Sequence, residues 1–275
     1  MSLSHYTTLE AAQAILENKS LKLSMGAFLA ANDPRETKYW HFNVNMNATE
    51  NRQLFHERRI SEQIKQGIGS LSFTRDIKNI LGYYRPRMWA QYAENHRGIC
   101  IVFNKRALLN CIHEYLDNQG IIYNGKVKYI NPSESFRVGE LNDITQDDIT
   151  NENISKFESE IFQESHRTIY LFSKHKDWRD EAEYRIIFRR CAAIECREFC
   201  IPCRNAIEKI VFGVDSPDTH EQITRRRLDE DVSKRISRYN HIIDICRNQQ
   251  LNFERVRWTN GIPGQDMLPV TPIAE

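Results

Sequence analysis

The sequence has no long apolar run. None of its stretches approaches the roughly 18 consecutive apolar residues that a membrane-spanning helix requires. The longest apolar runs, such as Ile99 to Phe103, have the length of a strand. We therefore expect that the protein is not integral to a membrane. The N-terminal residues also lack a basic segment followed by an apolar stretch, so no secretory signal is predicted.

The sequence also lacks an excess of charge of one sign, and it has few cysteines. Thirty-eight Lys+Arg against 37 Asp+Glu leave a formal net charge of +1. Such a chain has no global field that draws it onto nucleic acid or anionic lipid. Seven cysteines, an odd number, do not make the dense, even set of a secreted disulfide scaffold. We expect a reducing, cytoplasmic compartment.

Several common catalytic motifs are missing. There is no Walker A loop, no HExxH zinc helix and no GxSxG nucleophile elbow. Gly67-Ile68-Gly69 lacks the third glycine of a dinucleotide fingerprint and precedes a strand, the reverse of the order that this fingerprint needs. The spacing of Cys196, Cys200 and Cys203 resembles that of an iron–sulfur motif. These cysteines lie late in the chain, beside a strand end, and burial in the core is the favoured alternative.

The sequence does have the composition and periodicity of a globular α+β protein, with 40% hydrophobic and 27% charged residues. Thr7-Thr8-Leu9-Glu10 has the form of a capping box and predicts a short helix that ends near Asn18. Residues 70–74 alternate as a strand with three hydroxyls on one face. Tyr123-Asn124-Gly125-Lys126 is typical of a two-residue hairpin turn.

No repeat or linker marks a domain boundary. We therefore predict a single α+β domain over residues 1–275. It would include a helical excursion near 104–172 and a helical C-terminal region near 217–250.

Glu181-Ala182-Glu183 stands at the entry to a predicted strand, where residues two apart point the same way. Two carboxylates on one face can divide the work of glycosyl transfer: one stabilises a cationic centre and the other orients or deprotonates an acceptor. The alternative is a surface pair bridged to Arg179 and Arg185.

Several segments, in this order, resemble a bacterial family known as domain of unknown function 2971. They span roughly residues 4–213 and are His5-Tyr6-Thr7, residues 17–24, Asn32-Asp33-Pro34, Ser72-Phe73-Thr74, Trp89-Ala90-Gln91-Tyr92-Ala93, residues 98–101, Lys176-Asp177-Trp178 with residues 181–185, and residues 207–213. That family has no settled activity.

A second resemblance does imply a function. The His-x-Thr strand, the Ser-x-Thr strand and the late Glu-x-Glu strand are similar to the three signature strands of ADP-ribosyltransferase-like folds. The resemblance implies a split pair of small mixed or antiparallel sheets, with surrounding helices and a helical insertion. It further implies that NAD lies in the cleft between the two sheets, and no metal is expected.

The resemblance also assigns roles to residues. His5 would contact the ribose, with Thr7 near it, and Ser72 and Thr74 would be the hydroxyls of the cleft. Glu183 would hold the ribose 2′-hydroxyl and stabilise positive charge as nicotinamide leaves. Glu181 would face the acceptor. The alternatives remain open: His5 as a capping or core-edge histidine, and the hydroxyls of residues 70, 72 and 74 as a plain solvated strand face.

These observations favour a cytoplasmic NAD-dependent ADP-ribosyltransferase or NAD glycohydrolase of the toxin or phage-defence type, acting on a protein or nucleic-acid acceptor. One alternative is a non-catalytic module that binds a nucleotide or a partner. Another is a nucleic-acid-processing protein that uses the Arg-rich region 217–250, which includes Arg225-Arg226-Arg227.

Overall fold

A computed structural model describes residues 1–38, 40, 50–131, 151–191, 196–216, 230–259 and 262–263. The strands are β1 (Ser2–Thr7), β2 (Ser20–Ser24), β3 (Ile68–Arg75), β4 (Ile99–Asn104), β5 (Gly120–Lys126), β6 (Lys128–Ile130), β7 (Ser173–His175), β8 (Glu183–Arg190), β9 (Glu198–Pro202), β10 (Ile207–Phe212), β11 (Asn252–Arg255), β12 (Trp258–Thr259) and β13 (Ile262–Pro263). The α-helices are α1 (Leu9–Asn18), α2 (Pro34–Thr37), α3 (Glu50–Gln66), α4 (Pro86–Tyr92), α5 (Lys105–Leu116), α6 (Asn151–Ile161), α7 (Glu164–Leu171) and α8 (Glu230–Asn248). Short 3₁₀ helices cover Ala27–Ala30, Lys176–Glu181 and Arg204–Ala206.

The described strands form one mixed seven-stranded sheet and three two-stranded sheets. The large sheet has the order β11-β10-β4-β1-β3-β8-β5, and the small sheets pair β2 with β9, β6 with β7 and β12 with β13. In the large sheet β10 and β11 run parallel, and the other neighbours are antiparallel. The predicted α+β class is confirmed.

A narrow seam nearly divides the large sheet into two halves. β1 pairs with β4 through six residue pairs, and β3 pairs with β8 through seven. Between β1 and β3 only two pairs form, Leu3 with Arg75 and Ser4 with Thr74. The four strands β11-β10-β4-β1 and the three strands β3-β8-β5 therefore separate beyond Ser4.

Helices cover both faces of the sheet. β4 is buried along Ile99–Phe103, as the continuous apolar run predicts. On one face the core includes residues of α1, α5 and α8. On the other face, α4 packs on the β1 half, and α3, α6 and α7 pack around Ile187 of β8.

The first helix forms where predicted, with its ends shifted by one residue. The hydroxyl of Thr8, rather than Thr7, caps α1 by accepting a hydrogen bond from the amide of Ala11 at 3.1 Å. The left-handed residue after the helix is Lys19, at φ 52°, rather than Asn18.

The predicted hairpin turn at residues 123–126 is wrong. These residues lie inside β5, which forms an edge of the large sheet and pairs with β8 over seven residues. The Asn-Gly pair marks a turn only where the chain reverses, and here pairing with β8 keeps the backbone extended.

The helical regions predicted near 104–172 and 217–250 contain helices. The first region includes α5, α6 and α7, but also β5 and β6. In the second, α8 spans Glu230–Asn248, and residues 217–229 lie outside the described part of the chain. Within the described ranges, none of the helices combines the length and apolar character that crossing a bilayer needs.

Candidate functional site

A cavity of about 360 Å³ lies along the seam where β1 and β3 separate. Its walls come from both strands and from the segments that flank them. The lining residues are Ser4, His5, Tyr6, Lys22, Ala27, Phe28, Ala31, Asn32, Glu36, Ser70, Leu71, Ser72, Phe73, Thr74, Met88, Tyr92, Lys174, Glu181, Glu183 and Arg185. Five of the six predicted site residues thus meet at one cavity, and the sixth, Thr7, is not among its lining residues.

Strand pairing explains why hydroxyls and charges share one wall of this cavity. In the register between β3 and β8, Ser72 is opposite Arg185 and Thr74 is opposite Glu183. Directly opposite residues of an antiparallel pair point to the same face. The hydroxyl face predicted for residues 70–74 therefore lies beside the carboxylate of Glu183, with Thr74 buried, Ser70 half-buried and Ser72 still exposed to solvent.

The Glu183 carboxylate is enclosed by four hydrogen-bond donors. Its Oε1 accepts from the Ser72 hydroxyl at 2.6 Å and from Nε of Arg185 at 2.7 Å. Its Oε2 accepts from Nη2 of Arg185 at 3.0 Å and lies 2.9 Å from Nζ of Lys174. The side chain is only 3% exposed, so these protein groups replace the water that would otherwise solvate the charge.

Lys174, the middle residue of β7, links three carboxylates. Its Nζ lies 2.8 Å from Glu181, 2.9 Å from Glu183 and 4.0 Å from Glu36. Glu36 also pairs with Nη2 of Arg185, whose Nη1 donates to the carbonyl of Leu171 at 2.7 Å. We call Glu36, Lys174, Glu181, Glu183 and Arg185 the buried charge cluster.

The cluster keeps Glu183 ionised. Burial alone would raise the pKa of Glu183, but the charges of Arg185 and Lys174 outweigh it and bring the pKa to about 2. Glu36 differs, because burial raises its pKa more than its neighbours' charges lower it. For Lys174, burial lowers the pKa, and the nearby carboxylates more than compensate and raise it above its ordinary value.

Glu181 reaches the cavity by a different route from the one predicted. It is the last residue of the 3₁₀ helix Lys176–Glu181, not part of the strand. Ala182, at φ 48°, then turns the chain into β8. The two carboxylates are close because Lys174 bridges them, and strand alternation plays no part. The alternative of a surface pair bridged to Arg179 and Arg185 is wrong in its surface position and in Arg179, since both carboxylates are buried and Arg179 lies near Asp180. Its pairing of Glu183 with Arg185 is present.

Tyr92 of α4 contacts Glu181 from across the cavity. Its hydroxyl donates to Oε1 of Glu181 at 2.7 Å and accepts from the amide of Asn32 at 3.3 Å. Burial, followed by the charge of Glu181, raises the pKa of Tyr92 to about 12. Tyr92 therefore remains protonated and holds Glu181 in place.

His5 reaches the cavity from the opposite face of the sheet. Because Ser4 shares a face with Thr74 and Glu183, alternation puts His5 on the other face of β1. Its ring reaches across the seam to β3, with Nδ1 3.3 Å from the carbonyl oxygen of Ser72 and the ring centroid 5.6 Å from that of Phe73. Burial lowers the pKa of His5, partly offset by this hydrogen bond, so the imidazole is neutral at pH 7.

The remaining predicted residues are spread more widely. Thr7 is buried opposite Ile99. All seven cysteines are free thiols; Cys203 is buried as predicted, but Cys196 and Cys200 are exposed. The described residues contain no group of three or more His, Cys, Asp or Glu side chains that could hold a metal ion. Arg225-Arg226-Arg227 lies outside the described residues.

Comparison with known proteins identifies a family for part of the chain. Residues 88–186, from α4 into β8, match the family model described as Protein of unknown function (DUF2971). The family resemblance found in the sequence is thereby confirmed for residues 88–186. No curated protein and no solved structure gives a significant match. The DUF2971 region contains Tyr92 and four members of the buried charge cluster, whereas Glu36, His5 and Ser72 precede it.

The sequence did not point to Lys174 or Glu36 as site residues. Each stands among polar neighbours in short elements, where a charged residue is typical of a solvated surface. Tyr92 follows the core residues Met88 and Trp89 on α4, a context typical of a core position rather than of a site residue. The signal that could have found them is their position beside segments that resemble DUF2971. Glu36 follows the Asn32-Asp33-Pro34 turn, and Lys174 precedes the Lys176-Asp177-Trp178 segment.

Proposed function

We propose that this chain uses NAD as a substrate, as an ADP-ribosyltransferase or NAD glycohydrolase. The single observation that carries the proposal is the Glu183 carboxylate, which is buried, ionised and aligned by Ser72 at the wall of the seam cavity. Fixed negative charge in a site shielded from water stabilises a developing cation far better than it would in water.

The proposed reaction breaks the bond between ribose C1′ and the ring nitrogen of nicotinamide. The bonding electron pair leaves with nicotinamide, which becomes neutral, and C1′ acquires oxocarbenium character that Glu183 stabilises. Water, or a hydroxyl or amine of a protein or nucleic-acid acceptor, then forms the new bond to C1′. The proton that this nucleophile loses passes to Glu181, which stands beside Glu183.

The architecture of the sheet supports the same proposal. An ADP-ribosyltransferase-like fold has a nucleotide cleft between two small sheets. In this chain, a seam of two residue pairs separates a four-stranded half from a three-stranded half, and the cavity lies along it. His5, Ser72 and Glu183 all line that cavity.

A second candidate is a non-catalytic module that binds a nucleotide or a partner in the same cavity. The observation that favours it is the saturation of Glu183, whose two oxygens already accept from Ser72, Arg185 and Lys174. A carboxylate with these partners can have a purely structural role, in which its hydrogen bond to Ser72 stabilises the pairing of β3 with β8. Under this candidate, NAD binds and remains intact.

Nicotinamide release from NAD by the purified protein separates the two candidates. We expect the wild type to release nicotinamide, Glu183→Gln to lose at least about a hundredfold of the rate, and Ser72→Ala to lose less. Glutamine keeps the shape of the side chain and leaves Glu36 and Glu181 to balance Lys174 and Arg185, so the variant should fold. NAD binding by calorimetry without release would favour the module, and the absence of both would end the proposal.

A further inference from the structure

Two buried hydroxyl groups at the wall of the seam cavity have no hydrogen-bond partner. Within the described part of the chain, neither Ser4 Oγ nor Thr74 Oγ1 makes a hydrogen bond, and each residue is only 1% exposed. Both residues line the cavity. A buried polar group without a partner costs free energy, so a native fold usually keeps such a group where a water or a ligand completes its bonding.

The register of the sheet places these two residues side by side. Ser4 of β1 and Thr74 of β3 form the last pair before the two strands separate. Directly opposite residues of an antiparallel pair point to the same face, with Cβ atoms about 4.5–5.5 Å apart. On the other side of Thr74, Glu183 of β8 is its opposite residue. Ser4, Thr74 and Glu183 therefore form a row across three neighbouring strands, and all three line the cavity.

The surface beside Ser4 is apolar. Tyr6, two residues after Ser4 on the same face of β1, and Met88 of α4 both line the cavity and belong to one buried apolar cluster. The Tyr6 hydroxyl is already engaged, because it donates to the carbonyl of Gly82 at 2.7 Å. The thiol of Cys100 lies near Ser4 but is only a weak hydrogen-bonding group. The two hydroxyls are thus bordered by a surface that suits an aromatic ring.

The charge beside Thr74 favours a neutral ligand group. The buried charge cluster contains three carboxylates and two cations, so a further carboxylate next to it would be repelled. A hydroxyl both donates and accepts hydrogen bonds. A primary carboxamide complements two hydroxyls without adding charge, because one hydroxyl donates to its carbonyl oxygen and the other accepts from its amide nitrogen.

We propose that Ser4 and Thr74 form an amide subsite, which binds the primary carboxamide of an aromatic ring such as nicotinamide. The ring then lies against Tyr6 and Met88, and the row of residues leaves its nitrogen on the side of Glu183. That this ring is the leaving group of NAD rests on the proposed function; recognition of the amide does not.

Titration with nicotinamide and with nicotinate, followed by NMR, tests the amide subsite. The two probes differ only in their amide and carboxylate groups. We expect the wild type to bind nicotinamide at least about tenfold more tightly than nicotinate. Thr74→Val and Ser4→Ala should each lose at least about tenfold of the affinity for nicotinamide, the equivalent of one lost hydrogen bond.

Ser216→Ala is the matched control. It removes another buried hydroxyl, which donates to the carbonyl of Arg97 and is not among the groups that line the cavity. This variant should bind nicotinamide as the wild type does.

Thermal unfolding shows whether the two hydroxyls have partners within the protein itself. Because Thr74→Val removes a buried polar group that has no partner, the variant should unfold at the temperature of the wild type or higher. A lower unfolding temperature together with unchanged affinity for nicotinamide would give the hydroxyl a structural role and overturn the subsite.

The binding data also separate the subsite from the proposed function. Hydroxyl-dependent binding of nicotinamide without its release from NAD would retain the subsite and remove the NAD-cleaving function. Cleavage of NAD with equal binding of nicotinamide by all variants would retain the function and show that the subsite is wrong. A wild type that binds neither probe, or binds both equally, would also contradict the subsite.

Discussion

Arg185 binds both oxygens of the Glu183 carboxylate two residues away on the same strand, with Nε to Oε1 at 2.7 Å and Nη2 to Oε2 at 3.0 Å. The pair lies on the face of β8 that carries the seam cavity, and Lys174 completes it from β7. The candidate catalytic group is thus also part of an ionic cluster that joins β8 to α2 and β7.

Lys174→Met should destabilise the protein by about 3–5 kcal/mol, because it leaves three buried carboxylates facing one cation. Chemical denaturation gives this free energy of unfolding. Lys22→Met is the matched control, since Lys22 forms an exposed pair with Glu198 and should cost below about 1 kcal/mol. Equal, small effects of the two substitutions would contradict the buried cluster.

Acid should weaken the fold through Glu183. Because its pKa falls from 4.5 in the unfolded chain to about 2 in the folded one, its contribution to stability is complete above pH 4.5 and is lost as the pH falls towards 2. Glu183→Gln should therefore flatten the acid side of the curve of unfolding free energy against pH. Glu36 acts in the opposite sense, as its pKa is raised. If the curve of Glu183→Gln ran parallel to that of the wild type at acidic pH, the lowered pKa of Glu183 would be wrong.

His5 should titrate below its ordinary value of 6.5. Burial disfavours the imidazolium, so the unfolded chain takes up this proton before the folded one, and stability falls as the pH drops below 6.5. The Cε1 proton of His5, followed by NMR and assigned through the loss of its signal in His5→Asn, reports the midpoint. A midpoint at or above 6.5 would show that the surroundings of His5 do not disfavour the imidazolium, and the predicted lowering of its pKa would be wrong.

Gly82→Ala should cost about 1–3 kcal/mol by overpacking. A methyl group at this position would stand 2.6 Å from Oγ of Ser4 and 2.8 Å from the carbonyl oxygen of Thr74, so the loop must move away from the seam. Gly67→Ala, whose methyl group would approach nothing closer than 3.4 Å, is the control and should stay within about 0.5 kcal/mol of the wild type. Thermal unfolding of both variants measures the difference.

Local patterns predicted the elements that depend on near neighbours in sequence. The apolar run of β4 and the periodic residues of α1 specify their own structure, and both formed. The Asn124-Gly125 pair did not make a turn, because tertiary pairing with β8 overrode the local preference.

The site was predictable only in part. His5, Ser72 and Glu183 came from a resemblance to a fold, and the structure brings them to one cavity. Their true neighbours could not be found in the same way. Lys174 and Glu36 lie far apart along the chain and become neighbours only when α2 packs against β7. The left-handed turn at Ala182 likewise has no signature in the residues Glu181-Ala182-Glu183.

The closed network around Glu183 changes how variation at this position should be interpreted. A descendant that had given up catalysis would still gain stability from an acidic residue beside Arg185 and Lys174. Conservation of this glutamate among homologues would therefore reflect selection for stability as much as selection for catalysis.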